Sequence, residues 1–406
     1  MSAPEIRFKG FADPWEQRKL GEVAEIIGGG TPDTNNPNYW DGDIDWYSPA
    51  ELGEQIYADA SQRRITREGY ENSSAKMLPA DKTILFTSRA GIGTTAILRR
   101  SACTNQGFQS LALRDEVNVY FIYSMSDRIK AYAESKASGS TFLEISGRQL
   151  AEMDLMLPNR AEQDAIGSFF AQLDNLITLH QSKHDKLTTL KKSMLDKMFP
   201  KEGADIPEIR FAGFADPWEQ RKLDELATFG GGHTPSMADE SNYADGEILW
   251  VTSQDVKVDY LSDTTTKLSE KGASELKLYP AGTLLMVTRS GILRHTLPVS
   301  MLRKPSTVNQ DIRTISTNKD CSSLWLMQHL KARSKELLLE YGKTGTTVES
   351  IDFAKMKSMT FMLPTPSEQK AIGELFQQLD NLITLHQRKL KLLKHIKSSL
   401  LNRCFV

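Results

Sequence analysis

Between residues 162 and 199 the chain carries Ile166, Phe170, Leu173, Ile177, His180, His184, Leu187, Lys191, Met194 and Met198, stepping by alternating fours and threes. The stepping returns at Ile372, Phe376, Leu379, Ile383, His386, Leu390, Leu393, Lys397, Leu400 and Cys404. A sustained 3.5-residue period is the seam of a coiled coil, so the pattern predicts two long amphipathic helices, at 158–200 and 364–406. At 1.5 Å per residue, some 35 residues make a helix roughly 50 Å long. Each stripe needs a partner, and two on one chain can supply each other. Packed antiparallel, they would carry whatever precedes them at opposite ends, about an approximate two-fold axis.

Ahead of each helix the period changes. Residues 20–157 mix short β-like runs, such as TILFT at 83, with clusters of Gly, Pro, Asn and Asp; TLLMV at 283 answers in the second half. This is the pattern of a mixed α/β (α+β) globular region with many turns. LPNRAEQ at 157 and LPTPSEQ at 363 end the globular parts, and Glu162 and Glu368 suit the positive N-terminus of the helix that follows.

The two halves also share words. PEIRFKGFADPWEQRKL at 4–20 returns at 207–223 with one change, Lys9 to Ala212. GGGTP answers GGGHTP, NYWDGDIDW answers NYADGEILW, TNQGF answers VNQDI, and LDNLITLHQ at 173 is repeated letter for letter at 379. A period near 200 residues is a duplicated domain, not a solenoid. The expected division is a globular domain at 1–157, a helix at 158–200, a linker at 201–206, a second globular domain at 207–363 and a second helix at 364–406. Near-identical ends frame divergent middles, as if one surface were presented twice around two different contents.

Composition changes little in this picture. With 406 residues, 39% hydrophobic and 25% charged, there is apolar material for two cores. Three widely spaced cysteines, Cys103, Cys321 and Cys404, suggest neither a disulfide framework nor a CxxC metal site and fit a reducing cytoplasm. No stretch approaches the apolar length of a membrane span. A net charge of −2 leaves room for a local basic face.

Catalytic signatures are weak. NPNY at 36 lacks the third-place Pro and the Gly-rich loop of an amino-methyltransferase, and reads as a turn. EQRK at 16 and 219 reads as a solvated charged face. His180 and His184 have metal-ligand spacing, but Leu390 stands where the second copy should repeat His184, which favours seam packing. GGGTP and GGGHTP could meet a phosphate through backbone amides, without the Lys of a nucleotide P-loop; a tight turn is the plainer reading. TSRAGIG at 87 and TRSGILR at 288 set hydroxyls, an arginine and glycines after an apolar strand, a loop that could approach a phosphate while the arginine reads a guanine edge. Asn105 and Asn309 read as amide brackets. Arg63, Arg64, Arg67, Arg99, Arg100, Lys267, Lys271, Arg294 and Arg303 are further candidate phosphate contacts.

Taken as a doubled and ordered set, GGGTP, NYWDGDIDW, LPADKTILFTSRAGIG, TNQGF, SGSTF, LPNRAEQDAIG and LDNLITLH make the chain resemble the specificity subunit of a type I restriction-modification enzyme, over almost its whole length. The resemblance implies two target recognition domains, each reading part of a bipartite site in double-stranded DNA, with paired helices setting the spacer. It implies docking of two methyltransferase subunits, joined by restriction/motor subunits. S-adenosylmethionine, Mg2+ and ATP are then expected on those partners only, with no catalytic residue, cofactor or metal here, and a cytoplasmic location with no membrane partner. Residues expected at the DNA are Thr31, Ser48, Arg63, Arg64, Thr87, Ser88, Arg89 and Ser140 in the first half. In the second they are Thr234, Lys267, Thr288, Arg289, Ser290, Arg294 and Thr346. Ile166, Phe170, Leu173, Ile177, Leu187, Ile372, Phe376, Leu379, Ile383, Leu390 and Leu393 are expected at the helix pairing or subunit interface. GSTFLEIS at 139 becomes GTTVESID at 345, a departure in one loop. A scaffold that binds two proteins and no DNA is the alternative.

Overall fold

Every residue of the strand Thr83–Phe86 is buried. An apolar run without alternation needs cover on both faces of its sheet. In the computed structural model, which describes residues 4–89, 91–139, 143–201, 203–344 and 348–405, both faces are covered. Ile84 and Phe86 join one core cluster with Ile97, Leu111 and Phe121, and Leu85 joins another with Ala96, Leu98 and Phe108. The second half repeats the split, with Leu284 and Met286 in one cluster and Leu285 and Val287 in another.

The strand Thr83–Phe86 is central in a five-stranded sheet ordered Ala24–Gly28, Gln109–Leu113, Thr83–Phe86, Thr95–Leu98, Tyr57–Ala58. Its counterpart is Ala227–Gly231, Ile312–Thr317, Leu284–Val287, Val299–Leu302, Tyr260–Leu261. Pairing is antiparallel except for the short edge strands Tyr57–Ala58 and Tyr260–Leu261. A three-stranded sheet accompanies each: Arg63–Ile65, Trp40–Tyr47, Ala102–Thr104, and Thr266–Leu268, Ile248–Val251, Thr307–Val308. This is the mixed α/β plan, executed twice.

The two long helices run Arg160–Lys197 and Pro366–Cys404. Packing divides the chain into two compact units that do not follow the sequence halves: residues 1–180 with 389–406, and residues 181–388. Each unit holds the beginning of one long helix and the end of the other. In the first, Phe170 stacks on Phe405 and Asp174 pairs with Lys397, so one residue number falls as the other rises and the segments are antiparallel. In the second, Phe376 meets Phe199 and Asp380 pairs with Lys191, the same arrangement. Ile166, Phe170 and Leu173 are buried and Ile177 packs beside them with Leu393, Ile396 and Leu400. Ile372, Phe376 and Leu379 are buried with Leu187, Met194 and Met198 against them. Leu390 is buried and Ile383 half-buried, so the seam positions face inward as the period required.

The repeated leader has a structural task. Its EQRK segments are exposed strands, Glu16–Lys19 and Glu219–Lys222, paired antiparallel with Asp154–Leu157 and Thr360–Leu363. Just before them, Arg7 grips the fully buried Glu162 with both Nε and Nη2, at 2.6 and 2.7 Å. Arg210 does the same to Glu368 at 2.7 and 2.8 Å. The Ile6 amide donates to the Arg403 carbonyl and the Ile209 amide to the Lys197 carbonyl, each satisfying an otherwise open helix C-terminus. Trp15 packs edge-on to Phe121 and Phe405, and Trp218 to Trp325. One word is written twice because each unit must receive the far end of a helix in the same socket.

Candidate nucleic-acid interface

At one end of each five-stranded sheet several loops are tied to a single hub, residues 104–107 in the first unit and 308–311 in the second. The Gly30 amide donates to the Thr104 carbonyl, the Asn105 amide to the Tyr47 carbonyl and the Ser88 amide to the Gly107 carbonyl. The Ile145 amide reaches the Ser88 carbonyl. In the second unit Asn309 donates to Val251, Thr288 to Asp311, and Ile351 to Thr288, all through backbone groups. The hub is stiffened as its amides suggested: Asn105 Oδ1 accepts from the Gly107 amide at 2.8 Å and Asn309 Oδ1 from the Asp311 amide at 3.0 Å.

The glycine runs serve this packing. A Cβ on Gly29 would lie 2.0 Å from the Asn105 carbonyl oxygen, and one on Gly232 would lie 1.8 Å from that of Val308. Only glycine allows the two backbones to approach so closely. Thr31 and Thr234 follow, their hydroxyls donating to Gln106 Oε1 at 2.5 Å and Gln310 Oε1 at 2.7 Å.

The expected DNA contacts fall into three groups. Arg89 and Arg289 occupy the same place, directly after Ser88 and Thr288, whose amides bond the hub. Arg89 is half-buried and Arg289 exposed. Neither side chain has an ion pair or hydrogen bond among the described residues. A second group is paired within its own unit. Arg63 lies 3.6 Å over the Trp40 ring and Arg64 3.3 Å from Asp45. Lys267 lies 3.2 Å from Asp263, and Arg294 pairs with Glu349, whose carboxyl it holds below the usual carboxylate range. Arg67, Arg99, Lys271 and Arg303 are likewise engaged, with Glu71, Asp81, Asp239 and the Tyr260 ring. Exposed pairs of this kind hold weakly and exchange readily for a phosphate.

The third group moves inward. Thr87, Ser88 and Thr288 are buried, with Thr87 Oγ1 donating to the Gly91 carbonyl at 2.6 Å and Thr288 Oγ1 to that of Asp311 at 3.1 Å. Their hydroxyls shape the loop instead of facing outward. Ser48 is turned to Glu51 by a capping box, and Ser290 caps the short turn Gly291–Arg294. Ser140 and Thr346 lie outside the described residues.

Among the described residues no group of histidine, cysteine and acidic side chains could hold a metal ion. No helix among them is long and apolar enough to cross a membrane. Burial pushes the Cys103 and Cys321 thiols up to about 12, far from nucleophilic use. The long helices present an apolar pair that the sequence reading passed over. Leu176 and Leu179, and in the repeated word Leu382 and Leu385, are 45, 47, 43 and 45% exposed. At a spacing of three they lie on one helix face.

Two copies of one loop cluster, each on its own mixed sheet and each joined to a long helix, define a twice-built recognition protein. The type I restriction modification DNA specificity domain matches residues 12–189 and again 215–395, and the chain belongs to that family. It is therefore a specificity-type chain, the non-catalytic component of such systems. It is 25% identical over 400 residues to the type I restriction enzyme MjaIX specificity subunit of Methanocaldococcus jannaschii, covering 95% of this chain and 91% of that one. To the EcoR124I/EcoR124II specificity subunit of Escherichia coli it is 29% identical over 166 residues, 40% of this chain and 41% of that one. The crystal structure of a type I restriction-modification S subunit from M. genitalium shares the fold, with a TM-score of 0.67 at 14% identity, covering 100% of this chain and 99% of that one.

Proposed function

We propose that each unit reads one part of a bipartite, asymmetric DNA site, and that the chain scaffolds two methyltransferase subunits and the restriction/motor subunits in the cytoplasm. The observation that carries this reading is Arg89 and Arg289, unpaired among the described residues and equivalently mounted on hub loops whose flanking segments differ between the units. Arginine is the residue that reads guanine O6 and N7 bidentately, discriminating by about 1–3 kcal/mol. Helices of 38 and 39 residues are about 57 Å long, enough to bridge major-groove faces that recur about every 34 Å; this length supports a spacer role. The repeated apolar pair, Leu176 with Leu179 and Leu382 with Leu385, supports docking of the same partner twice. S-adenosylmethionine, Mg2+ and ATP belong to the partner subunits.

The test is to map methylated positions in host DNA and measure binding of the chain, assembled with its methyltransferase subunits, to that site and to scrambled duplexes. Preference for the mapped site, lost when either half is scrambled, is the expected result. Equal binding to all duplexes removes the sequence reading, and no binding even at low salt favours the protein-only scaffold.

A further inference from the structure

We infer that Gln106 and Gln310 grip a DNA phosphate at the same point of each half-site, through amide N–H groups that Thr31 and Thr234 turn outward. This rests on the DNA-reading function proposed above and assigns a division of labour within it.

The hydroxyls of Thr31 and Thr234 donate to Gln106 Oε1 and Gln310 Oε1. With the carbonyl edge of each amide turned toward the threonine, the NH2 edge is what the side chain presents. Both glutamines are exposed, and neither NH2 group has an acceptor among the described residues. The backbone beneath is fixed by the Asn105 and Asn309 brackets and by the close approach of Gly29 and Gly232. The hub thus fixes where each glutamine stands, and its single bond to the threonine sets the NH2 edge outward. The neighbouring loop carries Arg89 or Arg289 and is tied to the hub at the residue just after each glutamine, Gly107 or Asp311.

Recurrence decides what such an amide contacts. A residue that holds the sugar-phosphate backbone should be the same in both units, whereas one that reads a base recurs only where both half-sites carry that base, as the Arg89 and Arg289 reading requires of a guanine. The threonine and glutamine recur together with the same bond, while the surroundings change: Gly107 becomes Asp311, and Arg63 and Arg64 give way to the stretch holding Lys267. Adenine reading by glutamine uses both amide edges at once, and here one edge is already turned inward. A phosphate oxygen needs only the donor edge. Phosphate-gripping amides fix register without sequence preference, leaving choice of bases to Arg89 and Arg289 and to the residues that differ.

The experiment compares Gln106→Ala, Gln310→Ala, Gln106→Glu and Thr31→Val with the parent chain, each assembled with its methyltransferase subunits. The probes are duplexes carrying the mapped site, the site with one half scrambled, and unrelated sequence, titrated over a range of salt. Each alanine variant should weaken binding about fivefold on every duplex, preserving the ratio between mapped and scrambled sites. The salt slope should be unchanged, because a neutral amide displaces no counterion. Gln106→Glu, placing a carboxylate against phosphate, should bind more weakly than Gln106→Ala, and Thr31→Val should lose part of what Gln106→Ala loses. The glutamines are exposed and Thr31 is half-buried, so little change in thermal midpoint is expected. A loss confined to duplexes containing one half-site would overturn the inference in favour of base reading. No loss in any variant would remove the amides from the interface. A parent that does not distinguish mapped from scrambled DNA overturns the DNA-reading function itself, a failure visible before any variant is compared.

Discussion

Lys191 Nζ lies 2.5 Å from Asp380 Oδ1, and Lys397 Nζ lies 2.6 Å from Asp174 Oδ1. Each lysine stands at a seam position of one long helix and each aspartate on the other, within the same unit. In the second unit the pair is enlarged: Asp259 takes a second contact from Lys191 at 2.8 Å and an ion pair from Lys331. Burial alone would raise Asp259, but Lys331 and Lys191 overcome it and hold the carboxyl at about 2. Burial prevails at Asp380, whose pKa goes up. The first unit has Ile56 immediately before Tyr57, where the second has Asp259 before Tyr260.

Truncating a buried pair strands the remaining charge, at about 3–5 kcal/mol. Lys397→Met, which leaves the buried Asp174 without its cation, should therefore destabilise the protein by about 3 kcal/mol in chemical denaturation. Combining it with Asp174→Ala should cost less than the sum of the two single changes, because each single change leaves the other charge stranded. Strict additivity would show the pair to be uncoupled.

His329 supplies a pH dependence. Its ring stacks on Trp325 at 5.1 Å and meets Phe361 and Phe199, and neither nitrogen finds a partner among the described residues. Burial, with Arg333 adding to it, pushes its pKa down to about 3 from an ordinary 6.5. The folded state thus takes up its proton later than the unfolded state. The stability held by the neutral ring is full above about pH 6.5 and falls as pH drops toward 3, by up to about 1.4 kcal/mol per pH unit. Met125 stands four residues after Phe121, as His329 stands four after Trp325. His329→Met should be neutral or stabilising at pH 7 and should flatten the fall in denaturation midpoint between pH 6.5 and 4.5.

Arg89→Ala and Arg289→Ala should each change preference at one half of the mapped site and leave the other half untouched. Binding titrations against single-base variants of each half check this. Where the arginine also neutralises a phosphate, the salt slope should fall by about 0.9. Equal weakening on every duplex would assign the arginines to the backbone.

Leu179→Lys should reduce the number of methyltransferase subunits bound from two to one, as read by native mass measurement, with little change in denaturation midpoint because the side chain is already half in solvent. Leu179→Lys combined with Leu385→Lys should abolish binding. Retention of both subunits by the double variant would place the dock elsewhere.

The helices and the duplicated plan were legible because period and repetition survive divergence: Ile166, Phe170 and Leu173 could only be a seam, and their copies confirm the face. Lys191 and Lys397 at seam positions were the sequence's sign of a buried charge pair, but their aspartates lie on another helix, about 190 and 220 residues away, and no local pattern joins them. The hub was half legible. Asn105 announced a bracket, whereas Thr31 and Gln106 are 75 residues apart and meet only through sheet order. The inward turn of Thr87 and Thr288 was hidden because a hydroxyl reads the same whether it caps a loop or faces a ligand. Glu162 was legible as a helix-start carboxylate, but its partner Arg7 lies 155 residues away, and only the socket that seats a distant helix end brings them together.

That socket governs how synthesis must proceed. The first unit closes on Phe405 and on the Arg403 carbonyl, yet its other parts leave the ribosome some two hundred residues earlier. At about 5–20 residues per second, the aromatic cleft of Trp15, Phe121 and Phe170, complete once Phe170 is made, waits on the order of 10–50 s for the segment that covers it. During that interval the nascent chain displays an aromatic cleft, and a chaperone that shields it should raise the yield of folded protein more than one acting on the second unit, whose closing segment, Met198 and Phe199, is already made.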